Sequence, residues 1–173
     1  MAQSEYVFQR AEDQRELERL RMIEQVFDSA SRRRLLATGL QAGWCCLEVG
    51  PGAGSVMTWM GEVVGPTGQV VAMDLDPKFL GESGQSNVEI LRADIRTAQL
   101  QEQSFDLVHA RYVLIHIPDY ETALTKMFDS SSRGAGLSWR SLIFHPLVGS
   151  LAMSRGWRPC ARSIRPSNRC MRH

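Results

Sequence analysis

A three-layer α/β sandwich around a mostly parallel sheet is the fold class this sequence predicts, and three observations predict it. Apolar runs of strand length recur at 47–49, 69–74, 88–92 and 105–108, separated by segments of helical periodicity. The first run opens directly into Gly50-Pro51-Gly52-Ala53-Gly54, a glycine turn followed by Val56, Trp59, Met60 and Val63 at helical spacing. The second run ends in Asp74, twenty residues beyond Gly54. That is the distance at which a carboxylate at the end of a second parallel strand can accept hydrogen bonds from two ribose hydroxyls.

Each element has its own justification. Over residues 5–40, Leu17, Leu20, Ile23 and Phe27 recur at three- and four-residue steps, with Glu12, Asp13, Arg15, Glu16, Glu18 and Arg19 on the other face. A second helix is expected to start at Ser31 as N-cap and to run through Leu35 and Leu36 to Gly39. Glycines serve at 50, 52 and 54 because the turn needs backbone angles that a Cβ opposes and must let a ligand come close. Gly65-Pro66-Thr67-Gly68 is a turn by composition, and Gln69 to Asp74 a buried strand. Asp76 is expected to cap the short helix begun by Pro77-Lys78-Phe79-Leu80. Val88 to Arg92 forms the third strand and Phe105 to Val108 the fourth. Asp119 then caps a helix that turns Ala123, Leu124, Met127 and Phe128 inward.

Composition narrows the class. The 173 residues suit one domain with a real core, and 43% hydrophobic content fits a globular chain. No apolar run approaches the ~18 residues of a membrane span. Gln3, Ser4 and Glu5 stand where a basic, apolar leader would be, so a cytoplasmic setting is expected. Cys45 and Cys46 are adjacent, which is not a zinc spacing, and buried strand thiols are expected. The net charge of +1 conceals a division. Residues 1–132 carry all 19 acids against 12 basic residues, whereas 133–173 carry eight arginines and no acid.

Glu48 ends the first strand beside the glycine turn. Its charge would repel a pyrophosphate and attract an ammonium or sulfonium. The dinucleotide fingerprint is also imperfect, because its third glycine position falls on Ser55. With an acid followed by G-x-G-x-G, the stretch resembles the first motif of class I S-adenosylmethionine-dependent methyltransferases. Asp94-Ile95 after the third strand, and Phe105-Asp106-Leu107-Val108 with Val113-Leu114-Ile115-His116, match later motifs of that family in order and spacing. Tyr6 to Phe128 as a whole resembles the bacterial type 11/12 small-molecule methyltransferases.

The resemblance implies a Rossmann-like fold, S-adenosylmethionine as cofactor and a small-molecule methyl acceptor. It implies that Gly50, Gly52 and Gly54 allow close approach and that Glu48 favours the cationic methionyl end. Asp74, with Leu75 beside it, would hold the ribose. Asp94 would accept from the adenine amino group while Ile95 packs on the ring, and Arg111 would lie along the methionyl part just past the fourth strand. No general base and no metal ligands are assigned; His116 reads as structural. Residues 1–40 form a helical cover in this reading, 41–130 the cofactor-binding half, and 131–173 an arginine-rich irregular tail.

The pattern fails beyond Ser130. The family continues with a lysine-proline-glycine-glycine turn, a fifth strand and an antiparallel hairpin; strands one to four are legible here, and strands five to seven are missing or degraded. Codons displaced by one base from Ser130 to Phe144 admit the reading Leu-Lys-Pro-Gly-Gly-Trp-Leu-Val-Leu-Glu-Glu-Pro-Asp-Phe, which points to a shifted frame. The nucleotide sequence across codons 125–145 tests this. A bare edge on strand four, marginal stability and weak or absent activity would follow. The rival readings are an inactive truncated fragment, a nicotinamide-dependent oxidoreductase and a nucleic-acid-binding module built on the basic tail. Against the oxidoreductase, the Tyr-x-x-x-Lys pair of short-chain reductases is absent.

Overall fold

The computed structural model describes residues 2–81, 84–131 and 150–154. A long helix α1 (Ala2–Ala37) leads into strand β1 (Cys45–Val49), helix α2 (Ser55–Val64) and strand β2 (Gln69–Asp74). Strands β3 (Val88–Arg92) and β4 (Leu107–Arg111), helix α3 (Tyr120–Ser130) and strand β5 (Ser150–Ser154) follow. The sheet order is β3-β2-β1-β4-β5, with the first four strands parallel and β5 antiparallel to β4.

Strand alternation builds two cores, one on each face of the sheet. Leu47, Val49, Val71, Met73, Val108 and Ala110 pack with Ala123 and Met127 of α3. Cys46, Val70, Ala72 and Leu107 pack on the opposite face with Val56, Met57, Met60 and Val64 of α2 and with Leu35 of α1. Burial on both faces explains why these strands are near-continuous apolar runs. The expected three-layer α/β sandwich is therefore present.

Four local expectations are corrected. Helix α1 runs through Ser31 without a break, because Ser31 is buried and its Oγ accepts from Arg111 Nη1 at 3.2 Å instead of capping a new helix. Helix α1 ends where a Schellman pair forms, Gly39 N–H to Leu36 O and Leu40 N–H to Leu35 O, with Gly39 at φ +93°. Strand β4 starts at Leu107, since Phe105 is used in a separate bridge to Ser131, and Arg111 closes the strand instead of following it. Asp76 occupies the N-cap position before Pro77 but makes no capping bond; its carboxylate lies 3.7 Å from Lys78 Nζ. Asp119 does cap α3, accepting from Thr122 N–H.

The tail also departs from expectation. Ser150–Ser154 lies along β4 in antiparallel register, from Leu107 opposite Ser154 to Arg111 opposite Ser150, so the expected bare edge is paired. The remainder of the arginine-rich stretch lies outside the described residues. Cys46 is a free, wholly buried thiol with its pKa pushed up by burial, while Cys45 is disulfide-bonded rather than free. Among the described residues no helix is long and apolar enough to cross a membrane.

Candidate active site

The parallel strands end together at one edge of the sheet, where ligands bind in open α/β folds. A cavity of about 470 Å³ lies at that edge. Glu48, Gly50, Gly52, Asp74, Leu75, Asp94, Ile95 and Arg111 all line it. Gly54 does not; it stands at the N-cap of α2 with φ +93°. Three carboxylates scattered over 47 residues of sequence thus share one cleft because each lies within two residues of the C-terminal end of a neighbouring parallel strand.

The glycine turn is fixed by packing as well as by backbone angle. Gly50 has φ +66°, and a Cβ there would fall 2.0 Å from Val113 Cγ2. Val113 reaches that position because the chain bends sharply after β4, with Tyr112 at φ +59°. A left-handed aromatic residue costs about 1–2 kcal/mol, and it occurs here in the cavity wall, with its ring edge-on to Phe27 of α1 at 5.3 Å.

Helix α1 roofs the cavity, contributing Glu16, Arg19, Leu20, Ile23 and Glu24 to the lining. Hydrogen bonds tie it down along its length. Asp13 accepts from Lys78 Nζ at 2.6 Å, Glu24 accepts from the Ser55 N–H at the start of α2 at 3.1 Å, and Asp28 accepts from Arg111 Nη1 at 2.8 Å. The last pair is nearly buried, with side-chain exposures of 8% and 15%. Arg111 borders the cavity, with its guanidinium committed to Asp28 and Ser31.

The predicted adenine and ribose residues show a similar mixture. Asp74 accepts from the Asp76 N–H through Oδ1. Asp94 is gripped by Arg96, whose Nε and Nη2 reach its two oxygens at 2.6–3.1 Å and whose backbone N–H donates to Oδ1. The Arg96 side-chain hydrogen bonds, then its backbone N–H, hold the Asp94 carboxyl below the usual aspartate range. A depressed carboxyl pKa means that this pair persists above the ordinary aspartate range and breaks only as pH falls through the lowered value. In Arg96→Gln the Asp94 carboxyl carbon, followed by NMR, is expected to titrate back near the ordinary value; an unchanged midpoint contradicts this. Ile95 is only 3% exposed and belongs to the core, so the open apolar surface of that wall comes from Leu75, which is 61% exposed.

Glu24, Asp28 and His109 were not singled out from the sequence. Glu24, Asp28 and Ser31 stand at i, i+4 and i+7 on α1, one polar stripe among apolar positions. On β4 the alternation Leu107, His109, Arg111 puts one apolar, one titratable and one charged residue on the same face. His109 is wholly buried, and its Nδ1 lies 3.2 Å from Glu48 Oε1. His116 lines the cavity. Among the described residues no cluster of metal-binding side chains is present.

A family model described as a methyltransferase domain matches residues 47–135. Aklanonic acid methyltransferase DauC of Streptomyces sp. (strain C5) is 30% identical over 105 residues, covering 57% of this chain and 48% of that protein. Demethylmenaquinone methyltransferase of Oceanobacillus iheyensis is 30% identical over 96 residues, covering 51% of this chain and 40% of that protein. The chain thus spans about half the length of these curated relatives. Among solved structures, a SAM-dependent methyltransferase from Aquifex aeolicus superposes with a TM-score of 0.54 at 21% identity, over 65% of this chain and 67% of that one. The [4+2]-cyclase SpnF superposes with a TM-score of 0.56 at 19% identity, over 64% of this chain and 43% of that one.

Proposed function

The chain belongs to the methyltransferase-domain family, and from that premise we propose that it binds S-adenosylmethionine in the roofed cavity and transfers its methyl group to a small-molecule acceptor. One observation carries the reading: the glycine turn is flanked by two acids, Glu48 from β1 and Glu24 from α1. In dinucleotide-binding folds the pyrophosphate sits at the N-terminus of the helix after the glycine turn. Here the Glu24 carboxylate already takes the Ser55 N–H at that helix start. Such a site suits a cation and disfavours a diphosphate, which argues against the nicotinamide reading.

When bound, S-adenosylmethionine supplies an electrophilic methyl group on a sulfonium. The chain's own work is then binding and alignment. Gly50 and Gly52 let the backbone come close, Glu48 faces the cationic end, and Asp74 with Leu75 takes the ribose. Asp94 and Ile95 take the adenine, with Asp94 exchanging part of its bidentate Arg96 pair for the adenine amino group. Arg111 contributes its stem and the anchoring of α1. The relatives are named for aklanonic acid and demethylmenaquinone, which supports a small organic acceptor. The same fold in a cyclase means that architecture alone does not fix the reaction.

The partial coverage of the relatives favours a second reading, a cofactor-binding half without turnover. Calorimetric titration with S-adenosylmethionine, followed by labelled-methyl transfer to demethylmenaquinone as a probe, separates the two. Binding with transfer supports the enzyme, binding without transfer supports the second reading, and no binding sinks both. Glu24→Gln is expected to raise the affinity for reduced nicotinamide dinucleotide by about threefold to tenfold, as one charge leaves the helix start. Fluorescence titration reads this; tight dinucleotide binding by the native chain would contradict the assignment.

A further inference from the structure

Two polar side chains are buried within the sheet itself. Glu48 on β1 and His109 on β4 stand directly opposite each other in the parallel register. They are 3% and 1% exposed, and their neighbours on the same face, Cys46 and Leu107, belong to the apolar core. His109 Nδ1 engages Glu48 Oε1, whereas Oε2 is buried with no hydrogen-bond partner among the described residues. Arg111, next on that face of β4, directs its guanidinium to Asp28 and Ser31. The other α1 acid near the turn, Glu24, accepts from the Ser55 N–H.

A pair kept for stability alone would satisfy both oxygens, or would be replaced without loss by two apolar side chains. Glu48 lines the cavity, and its unsatisfied carboxylate oxygen has an accepting capacity that a donor bound there can meet. We propose that His109 is a positioning residue: by donating Nδ1–H to Oε1 it orients Glu48, leaving Oε2 for the cationic methionyl end of the cofactor. The inference rests on the cofactor reading above. It adds a residue that touches no ligand and acts only through Glu48.

The test compares two ligands on the full chain by calorimetry. S-adenosylmethionine carries the ammonium and sulfonium, whereas 5′-methylthioadenosine keeps the adenosine and lacks both charges. His109→Leu is expected to weaken S-adenosylmethionine about tenfold or more, while 5′-methylthioadenosine stays within about twofold of native. His109→Asn, whose Nδ2 takes the place of Nδ1, is expected to recover most of the loss. Equal weakening of both ligands, an unchanged His109→Leu, or an Asn variant no better than Leu overturns the role of His109. If the Leu variant does not fold, His109→Asn carries the test: near-native affinity for both ligands supports the proposal, and parallel loss of both overturns it. A native chain that binds neither ligand overturns the cofactor reading, and this inference with it.

Discussion

Replacing Gly50 with alanine is expected to lower stability by about 2–4 kcal/mol and to abolish measurable cofactor binding. Two costs combine there. The φ of +66° is left-handed, and the new Cβ would lie 2.0 Å from Val113 Cγ2, so the bend after β4 must move. Gly65 separates the terms, since it has φ +64° but no heavy atom within 4 Å of a built Cβ. Gly65→Ala should therefore cost only the conformational part, about 1 kcal/mol, and leave the cavity intact. Urea unfolding of both variants measures the difference. Equal losses would mean that Val113 yields freely and that the turn is not held by packing.

The second large effect is expected at the α1 anchor. Removing one partner of a nearly buried ion pair strands the other charge, at a cost of about 3–5 kcal/mol. Asp28→Leu leaves Arg111 with Ser31 alone, and Arg111→Leu leaves Asp28 with Arg32 at 3.4 Å. Each single variant is expected to lose about 3 kcal/mol and to loosen the roof over the cavity. The double variant should recover part of that loss, with a coupling of about 1–3 kcal/mol. Additive losses in the unfolding cycle would show that the contact at 2.8 Å contributes nothing of its own.

Much of the fold and site was legible because the signals were local. A strand, a glycine turn and a helix occupy adjacent residues, and Asp74 and Asp94 mark strand ends by sequence alone. What escaped was set by distant partners. Ser31 looked like a cap until its hydroxyl was found engaged by Arg111, 80 residues away. Phe105 looked like the start of a strand because its bridge to Ser131 is not written in the neighbouring residues. His109 sat in an apolar run with nothing nearby to reveal that Glu48 lies opposite it, 61 positions earlier. Ser150–Ser154 carries little strand signal of its own, and its pairing with β4 is supplied by the edge it lies against.

Besides its core packing through Leu35, helix α1 is fastened by hydrogen bonds beside each of β2, α2 and β4, at Lys78, Ser55 and Arg111. The outermost of these, Asp13 to Lys78, is the most exposed. Loosening of the roof should therefore begin on the Lys78 side, with the nearly buried Arg111 pair the last tie to yield.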